Sequence, residues 1–106
     1  MPKVVLTPRT AAGVSDAVPC YVGKPITFTC PGIGAGESAV LQKVNNDGSL
    51  TTYSYDTVGD GSGTVVIPTI TPDNQGIVVD APGGWAISKG VTAGAVGVEV
   101  SYWDEL

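Results

Sequence analysis

Two thiols, Cys20 and Cys30, and three separated carboxylates, Glu37, Asp80 and Glu99, are the groups through which this chain could attempt nucleophilic or acid–base chemistry. Histidine is absent. It is the usual general base near neutral pH and a common metal ligand, so no serine here has an imidazole to activate it. Two of the three carboxylates could in principle form a glycoside-hydrolysing pair. Glu99, however, is opposite in phase to Val98 and Val100 and belongs on a solvent-facing side. A metal site needs more ligands than the two cysteines supply. The expectation is a protein that holds a partner without transforming it: no enzyme, no metal and no cofactor.

Other constellations read as turn chemistry. Asp56-Thr57-Val58-Gly59 approaches the Asp-Thr-Gly of aspartic proteases, but Val58 interrupts the motif. Asp56, Asp60 and Ser62 suggest a cation loop, yet Thr57 and Val58 break the alternation of oxygen ligands and no Glu closes it. Cys20 and Cys30 could form a disulfide if residues 21–29 folded back as a hairpin around Gly23-Lys24-Pro25. The start of the chain has no signal-peptide pattern, and a reducing compartment favours two buried thiols. Six amphipathic rings, Tyr21, Tyr53, Tyr55, Tyr102, Trp85 and Trp103, could anchor an interface or stack on sugars. Phe28 and at least one tryptophan are expected in the core, and Trp103, beside Asp104 and Glu105, is the ring expected to be exposed.

Whatever these side chains do, β structure must position them. No apolar set recurs at helical spacing, and Gly, Pro or β-branched clusters interrupt every stretch of about ten residues. Period-two alternation takes its place. In residues 25–30, Ile26, Phe28 and Cys30 share one face and two threonines the other. Residues 39–44 run into Asn45-Asn46-Asp47-Gly48, whose Asn and Gly tolerate a tight reversal, and a strand bearing Tyr53 and Tyr55 follows. Residues 56–63 form a glycine-rich loop. Further strands are predicted at 64–67, 77–80, 85–89 and 98–103. Trp85, Ile87 and Lys89 share one face, as do Val98, Val100 and Tyr102.

The chain of 106 residues, with 15 Gly and 8 Pro, suits one domain spanning 1–106. The predicted fold is all-β: a single small sandwich or partly open barrel of about seven to eight short, mostly antiparallel strands. Residues 7–19 are expected to form an extended arm or a long loop that could reach a neighbouring subunit. The net charge is −5, and the basic residues Lys3, Arg9, Lys24, Lys43 and Lys89 do not cluster, which argues against nucleic acid. No apolar run approaches a membrane span. A soluble product made in the cytoplasm is expected.

Residues 25–30 are similar to the second strand of an immunoglobulin domain, but no Trp follows at the needed distance and no Tyr-x-Cys closes the pattern. Residues 39–102 carry a different likeness. Leu41-Gln42-Lys43-Val44 with Asn45 to Gly48, then Ile77-Val78-Val79-Asp80-Ala81-Pro82-Gly83-Gly84-Trp85, Lys89-Gly90-Val91-Thr92 and a Val-rich last strand resemble small structural proteins of tailed bacteriophage virions. The first 38 residues lie outside this likeness. The resemblance implies a β-rich capsid decoration (cement) or head-associated protein, with a homotrimer as one assembly. Its partners would be the major capsid protein and itself, and its location the virion, after synthesis in the host cytoplasm. Pro8, Arg9, Val14, Tyr102 and Trp103 are the expected interface residues. The alternative is a carbohydrate-binding sandwich of a head fibre or tail tip, stacking sugars on Tyr55, Trp85 or Trp103.

Overall fold

The computed structural model describes residues 2–57 and 63–102, and among them every regular element is a β-strand. Twelve strands follow one another: β1 (Lys3–Arg9), β2 (Gly13–Val14), β3 (Val18–Cys20), β4 (Ile26–Thr29), β5 (Ala39–Val44), β6 (Leu50–Thr52), β7 (Tyr55–Asp56), β8 (Val65–Val66), β9 (Thr69–Ile70), β10 (Gly76–Val79), β11 (Gly83–Lys89) and β12 (Val96–Tyr102). The count exceeds seven to eight because several stretches break into pieces of two or three residues at prolines and bulges. One sheet has the order β1-β12-β4-β10; the other has β2-β11-β5-β6, with β3 also on β11 and β9 also on β5. A two-stranded ribbon, β7-β8, stands apart. The pairings are antiparallel. The result is sandwich-like.

Alternation fills the space between the sheets. Ile26 and Phe28 of β4, Val96, Val98 and Val100 of β12, and Ile77 and Val79 of β10 face Leu41 of β5 and Trp85 and Ile87 of β11, all of them buried. Each large side chain removed from water contributes about 1.5–3 kcal/mol. The predicted reversal after β5 is present: Gly48 takes φ +87° and β6 returns in register, with Lys43 opposite Thr51. Lys89, in phase with Trp85 and Ile87, is buried as well. Its ammonium donates to the carbonyls of Ala11 (2.9 Å) and Gly90 (3.0 Å), so the charge is met by the main chain.

Residues 7–19, expected as an extended arm or a long loop, instead run along the edges of both sheets. β1 pairs with β12, and β2 and β3 pair in succession with β11. Between β2 and β3, Ser15 takes the place of a ladder residue. Its N–H donates to the Ile87 carbonyl and its Oγ accepts from the Ile87 N–H, both at 2.9 Å. Asp16 N–H then donates to Val5 of the other sheet (2.8 Å). This side of the sandwich is therefore sewn shut. Ser15 and Val18 are buried, which a free arm would not allow.

The two cysteines are free, buried thiols. β3 and β4 belong to different sheets, so the hairpin that would have brought Cys20 to Cys30 does not form. Only a single bridge, Tyr21 to Lys24, closes the turn between them.

Candidate functional site

Opposite the closed side, the sandwich is open. The outer edge of β5 is shared: β9 pairs with Ala39 and Val40, and β6 with Gln42 to Val44. Leu41, between them, donates its N–H to Pro68 (3.2 Å) and accepts from Tyr53 N–H (2.9 Å). From this divide the chain leaves the sheet as the β7-β8 ribbon and returns through Ile67 and Pro68. The other sheet ends nearby in β10. Between β10 and the 66–69 segment lies a groove of about 620 Å³, floored by Leu41, Ile77 and Trp85 and bounded by Tyr53 and Tyr55. Every residue from Gly76 to Ala81 lines it, so it runs the length of the β10 edge.

The aromatic residues of the groove form a tilted series. Tyr53 meets Tyr55 at 6.4 Å with the rings inclined 35°, and meets Trp85 edge-on at 5.2 Å and 84°. Edge-to-face contacts of this kind add about 0.5–1.5 kcal/mol beyond the area buried. Lys43 Nζ lies 5.0 Å from the Trp85 ring centre, a cation–π contact, and the indole N–H donates to Ala81 (2.9 Å).

Trp85 is 1% exposed, so it offers no face to a sugar. Its place among the stacking candidates is corrected to that of a core residue beneath the groove. The surrounding alternation already put it on the face of Ile87. Tyr55 is 46% exposed and does border the groove. Trp103 lies outside the described residues. Of the expected interface residues, Pro8, Arg9 and Val14 are exposed on the closed side, with the Arg9 guanidinium lying over Gly13. Tyr102 is half-buried against the core at the far end of β12, about 20 Å along the strand from Val96, the partner of Arg9. Among the described residues, Pro8, Arg9 and Val14 therefore do not share one patch with Tyr102.

The carboxylates stay apart. Glu37 precedes β5 at one end of the sandwich, Asp80 follows β10 at the other, and Glu99 pairs with Thr29 and Val4 on the outer face. Glu37 is a structural clamp. Its two oxygens accept the N–H groups of Ala93 and Gly34, each at 2.7 Å, and these bonds hold its pKa below the usual carboxylate value. Asp56 accepts from Gly63 N–H (3.2 Å), and Thr57 Oγ1 from Thr64 N–H (3.1 Å), across the base of the ribbon. Asp60 and Ser62 lie outside the described residues. Among the described residues no three Cys, Asp or Glu side chains gather as a metal site would need. Burial raises the Cys30 pKa to about 11; burial, then the nearby Asp80 charge, raises that of Cys20. Neither thiol is primed for attack.

The groove itself was not anticipated from sequence. Its signal was there in Ile77-Val78-Val79, an apolar run where alternation allows only two inward residues; Val78, the outward one, is 67% exposed.

No protein-family model matches this sequence, and comparison with curated proteins finds no match. Among solved structures, the fold is similar to that of YomS, a protein derived from the SPBc2 prophage. The TM-score is 0.63 at 12% sequence identity, over 94% of this chain and 88% of that one.

Proposed function

We propose that this chain is a non-enzymatic structural protein of a bacteriophage virion, which binds the assembled capsid shell and reinforces it as a decoration or cement protein does. The observation that carries this reading is the fold shared with the prophage-derived YomS over nearly the whole chain. The chemistry agrees with it: the carboxylates are dispersed, the thiols are buried, and the surface offers short side chains and backbone edges suited to close packing. The partner is the major capsid protein, with further contacts between copies in a homotrimer. Single contacts of modest area become tight when several act from one oligomer, through effective concentration. Pro8, Arg9 and Val14 on the closed side supply one contact surface, and the C-terminal Tyr102-Trp103 another.

A second reading rests on Tyr55, exposed at the groove with Tyr53 beside it: a carbohydrate stacked there would make the chain a sugar-binding module of a fibre or tail tip. Cosedimentation separates the two. Purified protein added to capsid shells assembled without it should pellet with them to a fixed ratio, while glycans leave its tryptophan emission unchanged. A saturable response to one sugar, with no protein in the shell pellet, reverses the order.

A further inference from the structure

We propose that Arg9 is a preorganised anchor for a carboxylate side chain on the capsid shell, an inference that rests on the shell-binding reading and names the chemistry of one of its contacts. Arg9 is the sole charged residue between Lys3 and Asp16, and residues 7–12 and Val14 around it are exposed. Its backbone is fixed where β1 ends. The Arg9 carbonyl accepts from Thr92 Oγ1 (3.3 Å), the Thr10 carbonyl from Thr92 N–H (2.9 Å), and the Ala11 carbonyl from Lys89 Nζ (2.9 Å). Gly13, paired with Lys89 in β2, supplies the floor. A Cβ there would come within 2.8 Å of Arg9 Nη1 and 3.6 Å of Cζ, so the guanidinium lies in room that only the lack of a side chain at Gly13 leaves.

Among the described residues, none accepts a hydrogen bond from this guanidinium or forms an ion pair with it. Lys43, by contrast, lies over the Trp85 ring, and Lys89 is buried on main-chain carbonyls. The planar fork of arginine N–H donors matches a carboxylate bidentately, and a side chain already held in place loses little freedom on binding. Pro8, Ala11, Ala12 and Val14 are uncharged and exposed, the setting in which an arginine dominates an interface. A row of phosphates would need further cations beside Arg9, and the basic residues of the chain do not cluster. Copies of a chain with net charge −5 repel one another, so the carboxylate is assigned to the shell.

Cosedimentation with capsid shells should compare the parent with Arg9→Lys, Gly13→Ala and Lys3→Gln. Arg9→Lys keeps the charge and loses the fork, and should raise the half-saturating concentration about tenfold, the worth of one charge-assisted bond. Gly13→Ala should weaken binding to a similar degree with an unchanged thermal midpoint, because the flexible end of Arg9 gives way. Lys3→Gln, about 20 Å away along β1, should bind as the parent does. Shells whose carboxylates have been amidated with methylamine should bind the parent and Arg9→Lys weakly and alike. A parent that fails to pellet with untreated shells removes the shell-binding reading and this inference with it. Where the parent does pellet, three results overturn the anchor alone. Arg9→Lys or Gly13→Ala could bind equally well, or the preference for the parent could survive amidation. Native masses could also show Arg9→Lys losing a homo-oligomer that the parent forms, which would give the carboxylate to a second copy.

Discussion

Cys20 and Cys30 sit where their thiols are inert, Cys30 with a pKa raised to about 11 by burial. The sign of the linkage follows. A thiol pKa above its unfolded value adds stability that is complete below the unfolded pKa, near 9, and is lost as pH rises through about 11. Native protein at pH 8 should therefore leave an aromatic disulfide reagent uncoloured, and release colour from two thiols only on unfolding; rapid native reaction would mean the sites are open. Glu37 works in the opposite direction. Its lowered pKa gives stability that is present above the ordinary carboxylate value and lost as pH falls through the lowered one. Acid unfolding followed by circular dichroism should show Glu37→Gln less stable than the parent near neutrality, with the gap closing in acid. A gap that persists in acid would deny the clamp its charge. Ser15 has no titration to report, but its Oγ is the acceptor for a buried N–H of Ile87. Ser15→Ala should cost about 1–3 kcal/mol in denaturant unfolding, the penalty of leaving that donor unpaired.

Among the elements, β1 and β12 show how a bulge depends on one residue. Their register slips between Val4 and Leu6 and again between Leu6 and Arg9. At the second slip β1 crosses so close to Gly97 that a Cβ there would strike the Leu6 carbonyl and the Pro8 nitrogen. Gly97→Ala should destabilise by about 1–3 kcal/mol as an overpacked site, and amides of β1 should lose exchange protection before those of β4; unchanged protection would remove the argument. β4, β5, β11 and β12 are legible in the sequence, because their large apolar residues recur on one face with period two, even though Ala86 and Gly97 on the other face are buried as well. β1, β2 and β3 are not. Pro8, Gly13 and Pro19 mimic a loop, and the pairing there depends on bulges and on a serine side chain standing in for a ladder group, which no propensity encodes. Trp85 is a core residue and not a stacking ring; it shares a face with Ile87, and part of its cover comes from Tyr53, 32 positions earlier in the chain, which local pattern does not show. The groove is not legible in the sequence for a related reason. It arises where β6 and β9 divide one edge of β5, and such sharing is visible only after folding.

For the whole molecule, one side of the sandwich is closed by the N-terminal segment and the other is open along β10, so two unlike surfaces face outward. That asymmetry suits a protein placed between different neighbours. In a homotrimer, native mass measurement should find three times the chain mass and little monomer at micromolar concentration; a clean monomer would weaken the reinforcing role, since avidity would be lost. The adhesive role proposed above is the claim on which the account rests. Electron cryomicroscopy of capsid shells incubated with excess protein tests it most directly. The account requires added density of this fold at one class of symmetry-related positions, bridging neighbouring capsid subunits. Shells that remain bare at saturating protein would contradict it.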